Sequence, residues 1–331
     1  MSWGKEQTKP LYRQHRLHKE GSSWHLSSLL LTHSIFVILG LLLTVNTINT
    51  ASADSSSPLL AAFYDRQMAI VDGVTYAWQG NDKPKRVAVD AIQVGVGRET
   101  YYALNRSGEL RSYRENLQQP EILMDGVVKF AAGSSGVFAI KTDGVLWWID
   151  SSSNKPKQIA DNVDTAAVGD GANYYITKQG ALFVKGKAHR GQYGDGKLKS
   201  TDNFIQTASD VKRITAHTGH AILLHKSGDI LGTGGNIYGP VGQHGLGDKA
   251  IRWSKIMSGA RAIATGSSHS VAIDQNNTLF AWGSEYGVEP VPILENVQAV
   301  AAASSTTIAL MLDNTLLQWR RGEIPKALLL N

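Results

Sequence analysis

Apolar and polar positions recur in a fixed order along most of this chain. The apolar stretch Ile263–Ile273 is followed by the polar turn Gln275–Asn277 and by a second apolar stretch, Leu279–Gly283. The same order is found in Phe130–Trp147 and again in Val168–Phe183. Self-similarity of this kind indicates a repeat architecture, in which each repeat is one supersecondary unit.

One Gly or Asn in each turn marks the period of the repeat. Gly and Asn are the residues that adopt the positive φ needed in tight hairpin turns. The marks are separated by 35, 36, 36, 48, 49 and 37 residues, so seven units run from about residue 58 to the end. The marks are Gly73, Gly108, Gly144, Gly180, Gly228, Asn277 and Asn314.

Each unit predicts four short strands. Many units contain a proline followed by an apolar pair, and proline, which lacks an amide donor, is typical of a strand start or an edge strand. We place this proline-led strand first, before a strand rich in small residues, an Ala-Ile strand and a Leu-x-x-Trp strand. Seven four-stranded units predict an all-β, seven-bladed β-propeller over residues 59–331.

The two ends of the repeat predict how the ring closes. The first unit begins at Leu59 without a proline-led strand before it, whereas the last unit is followed by a spare one at Pro325–Leu328. We therefore predict that the C-terminal strand completes the first blade. Closure of this kind removes the exposed strand edges that an open array would have to protect.

The repeat resembles that of the regulator-of-chromosome-condensation family. The match is best at Gly259–Gly283, and Gly191–Gly194 and Gly242–Gly245 carry the Gly-Gln-x-Gly element of the longer connections in that family. Five of the seven units lack this element. The resemblance implies a seven-bladed propeller. The family that this repeat resembles has nuclear members of the type of an exchange factor on chromatin. It also has a secreted bacterial branch of the type of a propeller-type inhibitor of β-lactamases. Other members are interaction domains.

The segment before the repeat is typical of an export signal. Residues 29–45 form an apolar run of 17 residues, basic residues precede it, and the small residues Ala51, Ser52 and Ala53 follow it. This order predicts a signal peptide over residues 1–53, a linker over 54–58 and a secreted or periplasmic domain. The alternative is an uncleaved signal anchor, since roughly 17–25 residues span a bilayer. Either topology places the propeller outside the cytoplasm.

Charge and cysteine content exclude several classes of function. Residues 1–53 hold five basic and two acidic residues, so the remainder carries only +2 of the net charge of +5. Nucleic-acid binding requires a concentrated basic stripe, which the repeat does not show in sequence. The chain contains no Cys, which excludes disulfides, thiolate metal sites and a cysteine nucleophile.

No motif predicts catalysis, a cofactor or a metal. His217 and His220 are three residues apart, but a zinc site normally has three or four ligands, and His220 and His269 occupy the same position of the repeat. Asp195 and Asp248 close equivalent loops, where turn-capping hydrogen bonds are the simpler interpretation. The chain has neither a Gly-x-Ser-x-Gly nucleophile elbow nor a Walker phosphate loop.

The aromatic residues fall into two groups. Trp78, Trp147, Trp282 and Trp319 share one phase of the repeat and are predicted to pack between blades. Others lie in the two long connections, at about residues 185–203 and 232–256, where Tyr and Trp are usual anchors of a binding surface. The predicted partner-binding residues are Tyr193, Asp195, Tyr238, His244, Asp248 and Trp253.

These observations favour a protein-binding propeller outside the cytoplasm that is not an enzyme. Its partner would be a protein of the cell envelope or the surroundings, with membrane contact only through an uncleaved anchor. The first alternative is a cell-wall or glycan-binding module in which loop aromatics stack on sugar rings. The second is a propeller enzyme, a lyase or hydrolase, which would draw His217, His220 or Asp248 together across the ring.

Overall fold

The computed structural model describes residues 59–114, 117–242 and 247–330. The predicted signal segment, 1–53, and the linker, 54–58, lie outside the described residues. Within the described ranges no helix is long and apolar enough to cross a bilayer. In the same ranges one turn of 3-10 helix, Ser284–Tyr286, is the only helical element among the strands.

Seven antiparallel sheets follow one another, each made of four consecutive strands. Blade one consists of β1 (Leu60–Phe63), β2 (Arg66–Val71), β3 (Val74–Gln79) and β4 (Lys85–Arg86). Blade two consists of β5 (Ala91–Val96), β6 (Tyr101–Asn105), β7 (Leu110–Tyr113) and β8 (Glu121–Met124). Blade three consists of β9 (Val127–Ala132), β10 (Gly136–Lys141), β11 (Leu146–Asp150) and β12 (Pro156–Ala160).

The next two blades hold the longest outer strands. Blade four consists of β13 (Val163–Val168), β14 (Ala172–Thr177), β15 (Leu182–Gly186) and β16 (Thr201–Ala208). Blade five consists of β17 (Val211–Ala216), β18 (His220–His225), β19 (Ile230–Gly235) and β20 (Lys249–Met257). Blade six consists of β21 (Ala260–Thr265), β22 (His269–Asp274), β23 (Leu279–Gly283) and β24 (Val291–Leu294). Blade seven consists of β25 (Val297–Ala302), β26 (Thr306–Met311), β27 (Leu316–Arg320) and β28 (Lys326–Ala327).

The sheets are arranged as a ring, which confirms the predicted seven-bladed propeller. The first strands of successive blades contact one another in chain order, and β1 contacts β25 to complete the circle. All seven predicted turn residues adopt a positive φ, between 64° and 95°. Each of these turns joins the second and third strands of its blade, and such tight hairpin turns of two or three residues require a left-handed backbone at this position.

The predicted mode of closure is wrong. The C-terminal strand β28 pairs with β27 of its own blade, and the first blade already has its outer strand, β4, after Pro84. The proline-led strand is therefore the last strand of each blade rather than the first. Proline at the start of an outer strand leaves no ladder hydrogen bond unmade, because that edge has no neighbour to accept from it.

Side chains, not a shared strand, join the last blade to the first. Leu60 and Tyr76 of blade one pack with Ile308 and Leu310 of blade seven in one buried cluster. Within this seam the Trp78 indole Nε1 donates to the Gln318 Oε1 at 2.7 Å, and the Gln318 amide donates to the Gly80 carbonyl at 2.9 Å. Burial and buried hydrogen bonds hold the ring shut without exchange of a strand.

Replacement of Trp78 with Phe tests this seam. We expect the free energy of unfolding to fall by about 1–3 kcal/mol, because the change keeps a buried ring but leaves the Gln318 oxygen without its donor. Urea unfolding followed by circular dichroism measures the loss. The matched control is Trp147→Phe, which removes a buried indole N–H that has no acceptor among the described residues. An equal loss in both variants would contradict the assigned role of the Trp78 hydrogen bond.

The tryptophans do not all share one position. Trp78, Trp282 and Trp319 lie opposite Gln67, Ser270 and Thr307 in the same place of their sheets, and all three are buried. In blade three that place is taken by Ile149, and Trp147 lies two residues earlier and is only half-buried. The prediction that all four tryptophans share one phase of the repeat is therefore wrong for Trp147. The sequence Leu-Trp-Trp-Ile places two indoles next to each other, and neither occupies the position equivalent to Trp78.

Candidate functional site

The connections of the propeller divide between two faces. Those between the first and second strands, and between the third and fourth strands, leave every blade on the same side, which we call the loop face. The tight turns between second and third strands and the links between blades lie on the opposite side, the turn face. The two long connections, 187–200 and 236–248, are both on the loop face. Loops held by a rigid scaffold are the usual place for binding residues.

The first long connection folds into its blade. Tyr193 has no exposed surface, and its hydroxyl donates to the Gly186 carbonyl at 2.5 Å. The neighbouring Gln192 is 4% exposed, and its carbonyl accepts from the Tyr174 hydroxyl at 2.9 Å. The Gly-Gln-x-Gly element is therefore a structural clip of blade four. Tyr193 cannot contact a partner in this arrangement, and its assignment as a binding residue is corrected.

Asp195 and Trp253 both lie beside that clip. The Asp195 carboxylate accepts from the Lys197 backbone amide at 2.9 Å, which is the turn-capping contact that its position suggested. Trp253 lies on β20 rather than in a loop, and it is half-buried against Gly194, where a Cβ would come 2.5 Å from the indole nitrogen. Its contacts belong mainly to the joint between blades four and five.

The second long connection projects two apolar side chains into solvent. Ile237 is 69% exposed and Tyr238 is 62% exposed. The loop beneath them is fixed, because the Pro240 carbonyl accepts from the Ser270 hydroxyl at 2.9 Å and from the Trp282 indole at 2.8 Å. An exposed aromatic on an anchored loop binds a partner at low entropic cost, because the loop is already ordered.

Two of the predicted residues share a pocket beside this loop. Tyr238 and Asp248 line a cavity of about 200 Å³, together with Arg190, Lys249 and Ser268. Asp248, Arg190 and Lys249 are exposed, so the rim offers charges of both signs next to an apolar tip. His244 lies outside the described residues. We refer to Ile237, Tyr238, Asp248, Arg190 and Lys249 as the 238 patch.

Sequence reasoning missed Ile237 and Arg190. Ile237 directly precedes Tyr238 in a polar, Gly-rich loop, and an isolated apolar residue in such a loop was the available signal. Arg190 belongs to the first long connection and reaches the pocket from blade four, and no sequence spacing indicates that approach. Tyr193 was selected as an aromatic residue in a long connection, and the sequence gives no sign that it is buried.

The histidines named by the sequence are placed by the packing between blades. The His220 Nε2 lies 3.1 Å from the Ser270 hydroxyl, and the His269 Nε2 lies 3.0 Å from the Thr307 hydroxyl, each in the next blade. Burial lowers the pKa of both imidazoles to about 3, with smaller contributions from neighbouring histidines and, at His269, from Arg321. These two side chains are neutral links between blades at neutral pH.

His217 instead faces the central channel. Its ring lies 5.2 Å from the Phe63 ring and 5.9 Å from the Tyr64 ring, centroid to centroid. The Tyr64 hydroxyl donates to the Asp170 carboxylate at 3.3 Å, so residues of blades one, four and five meet across the ring at the loop face. Burial lowers the pKa of His217 to about 4, although Asp170 opposes the shift.

The channel offers little chemistry. It has a volume of about 280 Å³ and is lined mainly by small apolar residues of the first strands. Nowhere in the described ranges do three His, Asp or Glu side chains come together as ligands for a metal ion. The loop face presents apolar, aromatic and charged side chains, which are the types found at recognition surfaces.

Comparisons with known proteins agree with this architecture. Residues 260–286 match the model of the regulator of chromosome condensation (RCC1) repeat. Among curated proteins, a bifunctional serine/threonine-protein kinase/NEDD4-like E3 ubiquitin-protein ligase of Dictyostelium discoideum is 28% identical over 142 residues, 36% of this chain and 7% of that protein. The X-linked retinitis pigmentosa GTPase regulator homolog of Caenorhabditis elegans is 26% identical, over 37% of this chain and 9% of that protein. The chain thus matches less than a tenth of either relative.

Solved structures resemble the whole ring. Prp20p of Saccharomyces cerevisiae, described with its binding properties to Gsp1p and histones, has a TM-score of 0.68 at 16% identity, covering 76% of this chain and 81% of that one. Human WBSCR16 has a TM-score of 0.65 at 14% identity, covering 77% of this chain and 86% of that one. At such identities the likeness establishes the fold alone.

Proposed function

This chain is an RCC1-like β-propeller, and on that premise we propose that it is a non-catalytic module that binds a protein partner outside the cytoplasm through its loop face. The fold alone does not fix an activity, so the proposal depends on the site. The 238 patch is the observation that carries it. Ile237 and Tyr238 project from a loop fixed to blade six, and charged side chains surround them.

The composition of this patch is that of a protein-binding hot spot. Hot spots are enriched in Tyr and Arg and consist of an apolar centre inside a polar rim. Two bulky side chains that are 69% and 62% exposed lose contact with water when a partner covers them. Burying them would contribute a few kcal/mol at roughly 25 cal/mol per Å² of apolar area.

The setting of the proposed binding rests on the N-terminal sequence. The basic, apolar and small-residue segments of residues 1–53 support export, which makes an envelope or extracellular protein the expected partner. Inhibition of an exported enzyme is one form that such binding can take. Prp20p is described as binding Gsp1p and histones, which supports protein binding as a use of this fold rather than those partners for this chain.

A pull-down from envelope extract tests the proposal. We expect the immobilised chain to enrich one protein, identified by mass spectrometry, and Tyr238→Ala with Ile237→Ala to reduce its recovery at least tenfold. The matched control is Leu312→Ala, an apolar side chain that is 53% exposed on the turn face. The side chains at both sites are mostly exposed, so both variants should fold.

Two results would contradict the proposal. Recovery that is unchanged in the Ile237 and Tyr238 variant would show that another surface binds the partner. Absence of any enriched protein would favour a glycan ligand instead, which retention on purified peptidoglycan or polysaccharide would then establish.

A further inference from the structure

A second recess lies on the loop face where blade seven meets blades one and two. Its volume is about 1020 Å³, at the upper end of the roughly 300–1,000 Å³ typical of ligand pockets. We call it the seam pocket. Its charged lining residues come from three blades and are Asp65, Arg66, Arg98, Glu99, Arg114 and Arg320.

The histidine link that joins blades five, six and seven does not continue into blade one, where this pocket lies. In blades five and six the second strand begins with a histidine, which reaches a hydroxyl in the next blade: His220 reaches Ser270, and His269 reaches Thr307. The equivalent pair at the closing seam is Thr306 of blade seven and Gln67 of blade one. Both line the seam pocket, and the threonine side chain is too short to replace the imidazole.

Gln67 has no hydrogen-bond partner at this seam among the described residues. Its side chain is 0% exposed, and neither its amide nitrogen nor its amide oxygen has a hydrogen-bond partner among the described residues. A buried polar group without a partner costs about 1–3 kcal/mol, and most such groups in native proteins are satisfied. Both amide atoms are out of reach of solvent in this conformation, so the side chain must turn towards the pocket before a ligand can supply the missing donor and acceptor.

The charge of the pocket defines that ligand. Four guanidinium groups face two carboxylates, a local balance of +2, and Asp65 is already engaged by the Gln79 amide at 2.6 Å. Arg98 and Arg320 are exposed and make no ion pair with any described carboxylate, while Arg66 donates to the Arg98 carbonyl at 2.8 Å. Guanidinium groups bind carboxylates through paired hydrogen bonds.

We propose that the seam pocket binds an acidic segment of the partner protein, with an Asp or Glu carboxylate at Arg98 and Arg320 and the adjoining peptide group at Gln67. This inference rests on the proposed function for the source of the ligand. The seam pocket and the 238 patch open on the same face, so one partner can contact both. The two carboxylates of the rim disfavour a phosphate dianion and can accept hydrogen bonds from peptide amides.

Binding of a model peptide tests the pocket directly. The probe is a fluorescein-labelled, C-terminally amidated hexapeptide of alternating Glu and Gly, titrated into the full chain purified in mild detergent and followed by anisotropy. We expect saturable binding that weakens with salt, as ion pairing requires, and at least a tenfold loss in the double variant Arg98→Gln, Arg320→Gln. The same peptide with Gln in place of Glu should not bind.

Two further variants separate recognition from structure. Arg106→Gln is the matched control, because Arg106 is exposed on the turn face and should leave peptide affinity unchanged. Gln67→Leu should weaken peptide binding while the midpoint of urea unfolding stays the same or rises, because an unpaired buried amide is replaced by an apolar group of similar size. A merely structural glutamine would give a lower midpoint instead.

The outcomes distinguish this inference from the proposed function. A partner captured in the pull-down whose binding survives Arg98→Gln with Arg320→Gln would overturn the seam pocket and leave the protein-binding function standing. Specific binding of the acidic peptide without any captured protein would support the pocket and count against that function. Equal binding of the Glu and Gln peptides, or displacement of the Glu peptide by millimolar inorganic phosphate, would overturn the assignment of a peptide carboxylate.

Discussion

Lowering the pH from 7 to about 4.5 is expected to unfold the propeller. Three buried imidazoles carry the effect: the pKa of His217 is lowered to about 4, and those of His220 and His269 to about 3, chiefly by burial. Below pH 6.5 the unfolded chain binds protons that the folded ring does not accept. The free energy of unfolding therefore falls as the pH falls through the window from about 6.5 towards 3–4.

The size of the loss follows from the shifts. Each pKa unit corresponds to about 1.4 kcal/mol, so three histidines together destabilise the ring by on the order of 8 kcal/mol at pH 4.5. That is comparable with the roughly 5–15 kcal/mol of a typical domain. Burial is the cause of the lowered pKa of His217, and its Nδ1 also accepts from the Thr218 backbone amide at 2.9 Å. A proton on that atom would break the contact.

Urea midpoints measured from pH 7.5 to 4.5 check this prediction. His269→Gln should reduce the slope of unfolding free energy against pH by about one proton in this window. His189→Gln is the control, because His189 is exposed in the first long connection. A midpoint that stays constant between pH 7 and 4.5 would show that these imidazoles are not buried in the neutral form.

Replacement of Trp282 with Ala is the single substitution with the largest expected effect. Trp282 has no exposed surface, packs with Ile222 and Ile230 of the preceding blade, and donates to the Pro240 carbonyl at 2.8 Å. Removal of a buried aromatic ring costs about 3–5 kcal/mol. We expect a loss of this size in urea unfolding, with weaker partner binding because the loop that carries Tyr238 is no longer fixed.

Two comparisons isolate the reasons for that loss. Trp282→Phe keeps most of the apolar contact and removes the hydrogen bond, so it should cost about 1–2 kcal/mol. Trp147→Ala removes the same side chain from a half-buried position and should cost much less than Trp282→Ala. Equal losses at Trp147 and Trp282 would contradict the assignment of Trp282 to the core between blades.

The sequence pattern of the repeat was sufficient to predict the fold but not the binding site. Turn residues at regular spacing require positive φ, and the structure gives all seven that conformation. The order of strands within a blade was misjudged, because a cyclic repeat has the same sequence period wherever its first strand is placed. Only the pairing of β28 with β27, and of β4 with β3, locates the boundary between blades.

Burial decided which aromatic residues are available. Tyr193 and Tyr238 occupy the two long connections and look alike in sequence, yet the first is fully buried and the second is 62% exposed. The difference comes from what each loop packs against: Tyr193 reaches the Gly186 carbonyl of its own blade, whereas the backbone after Tyr238 is held by blade six and leaves the ring outside. Such contacts depend on neighbouring strands that are distant in sequence.

The sequence by itself determined the repeat, the number of blades and the turn positions, because these follow from local backbone preferences and from the period of apolar residues. Only the tertiary structure decided how the ring closes and where charge collects. Arg66, Arg98 and Arg320 are far apart along a chain whose repeat carries little net charge, and the closure of blade seven on blade one gathers them around Gln67. Long-range packing creates that concentration, and no local pattern encodes it.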